Sequence, residues 1–313
     1  MRTRALGQTG LNCSELAVGT WGLSGEPYGP VSATEARRVL LRARKMGINT
    51  FDTSPAYANG KMEELLGELF SDDENALILV RVGLDRDQEP PQKTFSREAL
   101  TRVFDKTQAR LKTQCKLVML LHHPSPRSLE DGEAFSFLQE LKKENSIAAW
   151  GVSCEHLTTA QLALEAETNL LSLAHNIFHS TPLNRLRSQI MLNHVGVCAH
   201  STLAYGLLAG RWAPDKRFEW EDHRSERWPG DSLRTRIRHL DAVRPLVAGQ
   251  VVSMRAAAVR YVLADEQVSC AILGPKNSAQ IDQLVRETAD LPHLNPGALE
   301  ALEHRLVHLN VDR

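Results

Sequence analysis

The sequence has no CxxC pair, no G-x-G-x-x-G and no apolar run approaching the ~18 residues of a membrane-spanning helix. Each absence excludes something. Five cysteines (Cys13, Cys115, Cys154, Cys198 and Cys270) are scattered and odd in number, which argues for free thiols in a reducing compartment rather than a disulfide framework. The opening MRTRALGQTG has no apolar core of signal-peptide length, so a soluble cytoplasmic protein is expected. An excess of one charge is missing too. With 37 basic and 38 acidic residues the net charge is −1, and nothing draws the chain as a whole to nucleic acid or an anionic membrane. Residues 224–238 are locally basic, but Glu226 and Asp231 interrupt them, as on a solvated face. No G-x-G-x-x-G after a strand means no Rossmann fingerprint. No repeat or low-complexity segment stands out.

What the chain does have is alternation. Strand-like segments at 15–20, 49–53, 76–82, 117–123, 147–153, 171–176, 194–201 and 270–274 are separated by helical patterns at 33–46, 61–70, 96–113, 132–144, 157–167, 183–192, 232–248 and 253–264, and a further helix at 278–289 follows the last strand. Eight strands, each followed by helical sequence, predict a (β/α)8 barrel, and 313 residues suit one such domain over 1–313. The turn signal Gly7-Gln8-Thr9-Gly10 predicts an N-terminal β-hairpin before it. Three stretches depart from the repeat: a charged connection over 83–94 with Pro90-Pro91, a long loop over 211–231 after strand seven with three tryptophans, and a tail beyond Pro292 with a helix at about 297–308. A long loop on a barrel is often a lid.

The stretch 49–60, Asn-Thr-Phe-Asp-Thr-Ser-Pro-Ala-Tyr-Ala-Asn-Gly, ends an apolar approach in Asp52 and, five residues on, Tyr57. The helix after it carries a stripe of Met62, Leu65, Leu66, Leu69 and Phe70; the helix before it opens on the capping box Ser32-x-x-Glu35 and ends at Gly47. A carboxylate at a strand's C-terminal end, with a phenol in the next loop, sits where α/β enzymes place their chemistry; a turn aspartate and a half-buried tyrosine are the plainer alternative. The other strand ends add Arg81, His122 and His123, Ser153 and Cys154, His175, His200 and Lys276. Any one of these is readily structural; together at one mouth they favour a site. Gly274-Pro275-Lys276-Asn277 leads into a helix whose amides, with Lys276, are placed to hold a phosphate, unless Asn277-x-x-Gln280 is only a capping box.

Several segments together resemble the aldo-keto reductase family over nearly the whole chain: residues 47–57, Glu63-Glu64-Leu65-Leu66-Gly67, His122-His123 before Pro124-Ser125-Pro126, Gly151-Val152-Ser153, Gly206-Leu207-Leu208-Ala209-Gly210 and Gly274-Pro275-Lys276. The resemblance implies a (β/α)8 barrel that transfers hydride reversibly from NADPH to a small-molecule aldehyde or ketone. It places the family's catalytic aspartate, tyrosine and histidine on Asp52, Tyr57 and His122, and puts Arg81 where the family has lysine. It assigns the cofactor to Gly19, Thr20, Ser153, Cys154, His175, His200, Ser201, Leu203, Gly206, Lys276, Asn277 and Gln280, and the substrate pocket to Trp21, Tyr28 and His123. No metal is implied.

The chemistry is intelligible in itself. Hydride addition builds charge on the carbonyl oxygen, so a proton donor and an electrostatic partner must sit beside it. Tyr57 donates, a cation tunes it, Asp52 holds the cation, and His122 orients the oxygen. An arginine in the cation's place keeps the charge but has a planar fork, which is expected to grip Asp52 bidentately. Cys154, His175, His200 and Leu284 stand where the family usually has asparagine, glutamine, an aromatic and asparagine. Two other readings remain open here. One is an NADP-binding regulatory or structural protein of the same fold. The other is a metal-assisted lyase or hydrolase using His122, His175, His200 and Cys154. Neither the particular substrate nor the oligomeric state is legible.

Overall fold

The structure, a computed structural model, describes residues 1–86, 91–112, 116–288, 293–294 and 296–308. Pro90, Cys115, Pro292 and the last residues of the helices expected to reach 113 and 289 lie outside these. Eight parallel strands form a closed barrel: β1 (Leu16–Gly19), β2 (Thr50–Thr53), β3 (Leu77–Val82), β4 (Lys116–His122), β5 (Ala149–Cys154), β6 (Leu170–Ala174), β7 (Gly196–His200) and β8 (Val268–Leu273). They pair in sequence order, and β8 closes on β1 through Ala271 opposite Leu16. The helices between them are α1 (Ala33–Lys45), α2 (Lys61–Phe70), α3 (Arg97–Leu111), α4 (Glu133–Lys143), α5 (Leu157–Glu165) and α6 (Thr181–Leu192). After β7 come α7 (Gly230–Val243) and α8 (Met254–Ala264), and after β8 come α9 (Ser278–Thr288) and α10 (Pro296–His308).

Strand periodicity divides the core in two. On β3, Leu77 and Leu79 point inward to a cluster with Val118, Leu120, Leu170, Cys198 and Cys270, whereas Ile78, Val80 and Val82 face the helices. Both faces of β3 are buried, so it reads as a nearly continuous apolar run. Arg81 is its one charge, and it shares the inward parity of Leu77 and Leu79.

The predicted hairpin, Thr3–Ala5 paired with Asn12–Ser14, supplies Leu6, Leu11 and Cys13 to the interior cluster. Its turn approaches β7 so closely that a Cβ on Gly7 (φ +57°) would lie 2.5 Å from the Gly196 amide nitrogen, so only glycine fits. Buried Glu15 ties the hairpin down by accepting from Arg2 Nε at 2.9 Å and Arg4 Nε at 2.8 Å.

Two expectations need correction. The capping box of α1 is half formed: Ser32 Oγ accepts from the Glu35 amide at 3.2 Å, but the Glu35 carboxylate accepts from the Ser278 amide at 2.8 Å and so joins α1 to α9. The helix expected over 232–248 ends at Val243 and passes into a 3-10 turn, Arg244–Leu246. Pro245 within it has no N–H for the helical ladder and disfavours a helical residue before it. The 83–94 connection contains a small antiparallel pair, Leu84–Asp85 with Gln92–Lys93.

Candidate active site

Asp52 and Arg81 stand at the C-terminal ends of β2 and β3 and form an ion pair, 4% exposed at each residue. The grip is not the side-on fork expected. Arg81 Nε alone is shared between the two Asp52 oxygens, at 3.0 and 2.8 Å. Its remaining arms reach across the barrel, Nη1 to Ser153 Oγ on β5 at 2.5 Å and Nη2 to Ser172 Oγ on β6 at 2.9 Å. Ser153 and Ser172 are register partners of the same inward parity, which is why one guanidinium reaches both. Thr20 fixes the end of β2, its Oγ1 donating to Asp52 O at 3.0 Å and lying 2.9 Å from the Thr53 hydroxyl. Ser54 Oγ does the same for β3 by donating to Arg81 O at 2.8 Å.

Tyr57 opens a tight turn in which Ala58 and Asn59 adopt φ of 49° and 53° and Gly60 φ of 85°. That left-handed run reverses the chain between β2 and α2 and leaves the Tyr57 side chain buried on the wall of a cavity. Burial pushes its phenol up, nearby Asp52 adds to this, and Arg81 opposes both. His122 ends β4 on the same wall; burial, then Arg81, His123 and Lys93, hold its imidazole well below its ordinary value. Tyr57 is therefore a protonated phenol and His122 a neutral imidazole near pH 7.

The cavity has a volume of about 690 Å³. Its wall includes Asp52, Tyr57, Arg81, His122 and, of the other predicted residues, Gly19, Trp21, Tyr28, His123, His200, Ser201, Leu203, Gly206, Lys276 and Gln280. Five predicted residues are not on it: Thr20, Ser153, Cys154, His175 and Asn277. Strand parity accounts for two. Cys154 falls on the outer face of β5 and packs in the core between strands and helices, where burial pushes its thiol up to about 12. His175 follows the end of β6 and stacks on Tyr261 of α8, ring centroids 5.5 Å apart. Asn277 caps α9 by accepting from the Gln280 amide at 2.9 Å, while Gln280 Oε1 accepts from the Lys276 amide at 2.7 Å. Among the described residues no three His, Cys, Asp or Glu side chains are placed to hold a metal ion.

The loop after β7 lies over the mouth. The His223 amide donates to Pro27 O at 3.1 Å, and its ring packs among Trp21, Tyr28 and Tyr205 at centroid distances of 4.9, 4.7 and 5.3 Å. Arg224, held by Asp222 at 2.8 Å, lies over Tyr28 and Phe218, and Arg227 lies over Tyr205 at 3.6 Å. The basic stretch expected to be a solvated face therefore starts as a lid. Lys276 reaches the same region, Nζ donating to Tyr28 O and, at 3.2 Å, to Gly29 O.

The profile of the Aldo/keto reductase family matches residues 15–293. The chain belongs to this family. Among relatives of this aldo/keto reductase, L-galactose dehydrogenase from Arabidopsis thaliana is 26% identical, the match covering 93% of this chain and 89% of the relative. A rice protein named "Probable voltage-gated potassium channel subunit beta" is 24% identical, with 97% and 96% covered. Among solved structures, glycerol dehydrogenase AKR11B4 from Gluconobacter oxydans superposes with a TM-score of 0.86 at 22% identity, covering 99% of this chain and 97% of the other. No helix among the described residues is long and apolar enough to cross a membrane.

Reading strand ends alone missed Ser172, whose signal was a polar residue at inward parity in an apolar strand. It also missed Tyr205, Arg255 and Gln283 on the cavity wall, whereas Arg211, His223, Arg224 and Arg227 come from the 211–231 loop that the sequence marks as a lid. Tyr205, Arg255 and Gln283 lie on separate elements far apart in the chain, and no local pattern marks them.

Proposed function

We propose that this aldo/keto reductase reduces an aldehyde or ketone to an alcohol with NADPH. One observation carries the reading: Tyr57, the Asp52–Arg81 pair and neutral His122 line the same cavity. The basic wall suits a dinucleotide. Arg211, Arg255 and Lys276 offer cationic donors for its phosphates, Lys276 for a 2′-phosphate, and Gln280 and Gln283 flank them. His200 forms part of the same wall. The cofactor's chemistry is hydride donation to the carbonyl carbon. Tyr57 gives its phenolic proton to the carbonyl oxygen as negative charge develops there. His122 hydrogen-bonds the same oxygen, and Arg81 provides a fixed positive charge that lowers the cost of the tyrosinate left behind. Asp52 and the two serines hold that charge in place. A cytoplasmic enzyme acting on a small molecule is in keeping with this chemistry.

The test is NADPH consumption against a panel of aldehydes and ketones with Tyr57→Phe in parallel. Turnover should fall at least about 100-fold in the variant, the scale of a lost general acid. A second reading, a cofactor-binding regulatory protein, is favoured by arginine at position 81 with its arms already engaged by two serines, and by the name of the rice relative. Saturable NADPH binding without turnover of any substrate would support it and overturn the first.

A further inference from the structure

The turn that carries Tyr57 is costly, and it is held from both ends. Ala58, Asn59 and Gly60 lie one after another in the left-handed region, a conformation that non-glycine residues seldom adopt even singly. At the near end the Tyr57 amide donates to Ser54 O at 3.0 Å, and Ser54 Oγ is bonded to Arg81 O. The far end is met from outside the barrel. A Cβ on Gly60 would lie 2.5 Å from both Nε and Nη1 of Arg110 on α3, so the guanidinium rests against the Gly60 backbone. Glycine serves there twice, for φ +85° and for that close approach.

A buried polar cluster behind α2 fixes Arg110 in turn. Glu63 on α2 is fully buried, and its carboxylate accepts from Arg110 Nη1 at 2.9 Å and from Thr107 Oγ1 at 2.8 Å. Gly67 brings the two helices together, since a Cβ there would lie 2.6 Å from Leu111 O. None of Glu63, Thr107 and Arg110 lines the cavity. Desolvation offsets much of the attraction in a buried ion pair, so stability alone accounts poorly for this one. What it does achieve is a fixed place for the guanidinium.

We propose that Arg110 is a positioning residue for Tyr57: clamped by Glu63, it backs the Gly60 end of the left-handed turn and so sets where the phenol stands beside the Asp52–Arg81 pair. Misplacing a reacting group by about 1 Å through a change far from the chemistry can cost on the order of 100-fold in rate, so a partial release of this turn is expected to cost about tenfold. The inference rests on the reductase reading above.

Arg110→Lys tests it, because lysine keeps a cation for Glu63 but withdraws the planar group from Gly60. The variant should lower kcat for carbonyl reduction by about tenfold and leave KM for NADPH within about twofold, since the residues offered to the cofactor lie on other elements. Placed on Tyr57→Phe and followed in single turnover, the same change should lower the residual rate by less than about twofold, because its effect is carried by the phenol. A merely structural loss would lower both rates by the same factor. Gly60→Ala, which pushes the guanidinium away from the other side of the contact, should show the same pattern and serves should Arg110→Lys fail to fold. Unchanged kcat in both variants, or equal losses with and without the Tyr57 hydroxyl, overturns the positioning role and leaves the reductase standing. If wild type reduces no carbonyl compound, the reductase reading fails and this inference with it.

Discussion

Arg81 on β3 and Ser172 on β6, three strands apart around the barrel, are joined by a 2.9 Å hydrogen bond from Nη2 to Oγ. With the Ser153 contact it makes arginine at this position a cross-barrel strut as well as a charge beside Tyr57. Ser172→Ala leaves a buried guanidinium arm without its acceptor and is expected to lower the unfolding free energy by about 2 kcal/mol. Urea denaturation checks this; an unchanged midpoint would mean that the bond is not a source of stability.

Arg81→Lys separates the two roles. A lysine ammonium can meet Asp52 and approach Tyr57 as a point charge, but it abandons at least one of the serines. We expect lower stability together with a rise in the carbonyl reduction rate of about tenfold, equivalent to about 1.4 kcal/mol of barrier. A variant that loses stability without gaining rate would show that arginine already places Tyr57 as well as lysine can.

The pH profile of the reaction follows from Tyr57 and His122. The Tyr57 phenol is pushed up and the His122 imidazole well down, so neither changes charge near neutrality. Reduction should be flat between about pH 8 and about pH 5, without a limb at the ordinary histidine value of about 6.5. Alcohol oxidation needs the tyrosinate, so its rate should still be climbing at about pH 10. Steady-state rates in both directions settle this, and an inflection in reduction near the ordinary histidine value would refute a neutral His122.

Protein stability should depend on acid for a related reason. His122, His123, His175 and His200 are all depressed in the folded state by burial, His123 to about 3 and His175 to about 4. Above the unfolded value of about 6.5 both states are neutral and stability is full. Below it the unfolded chain takes up protons that the fold refuses, at about 1.4 kcal/mol per pH unit for each such histidine, until the pH reaches the folded values. Tm should therefore fall steadily between about pH 6.5 and about pH 4; a level Tm there would argue that these rings are charged in the folded protein.

Lys276 tests the choice of cofactor. Its ammonium is shared between the Tyr28 and Gly29 carbonyls, and burial, with Arg224 adding to it, lowers its proton affinity while Asp222 opposes them. Lys276→Met should raise KM for NADPH by about tenfold and leave KM for NADH within about twofold, because only the former carries the 2′-phosphate. Equal effects on both would assign Lys276 to the loop it binds rather than to the phosphate.

The sequence by itself determined the barrel, the hairpin that enters it, the strand ends that carry Asp52, Arg81 and His122, and the loop that carries Tyr57. These follow from local rules: apolar runs of strand length, amphipathic helices, turn residues and short motifs all act within a few residues of one another. Only the tertiary structure decided which neighbouring side chains share an interior. Ser153 points inward and Cys154 outward because successive strand residues face opposite ways, and which parity is inward depends on closure of the whole sheet. The same closure let Arg81 reach Ser172, and the lid set His223 among three aromatic rings drawn from two other segments. Such contacts join residues tens to hundreds of positions apart, so no window of sequence contains both partners.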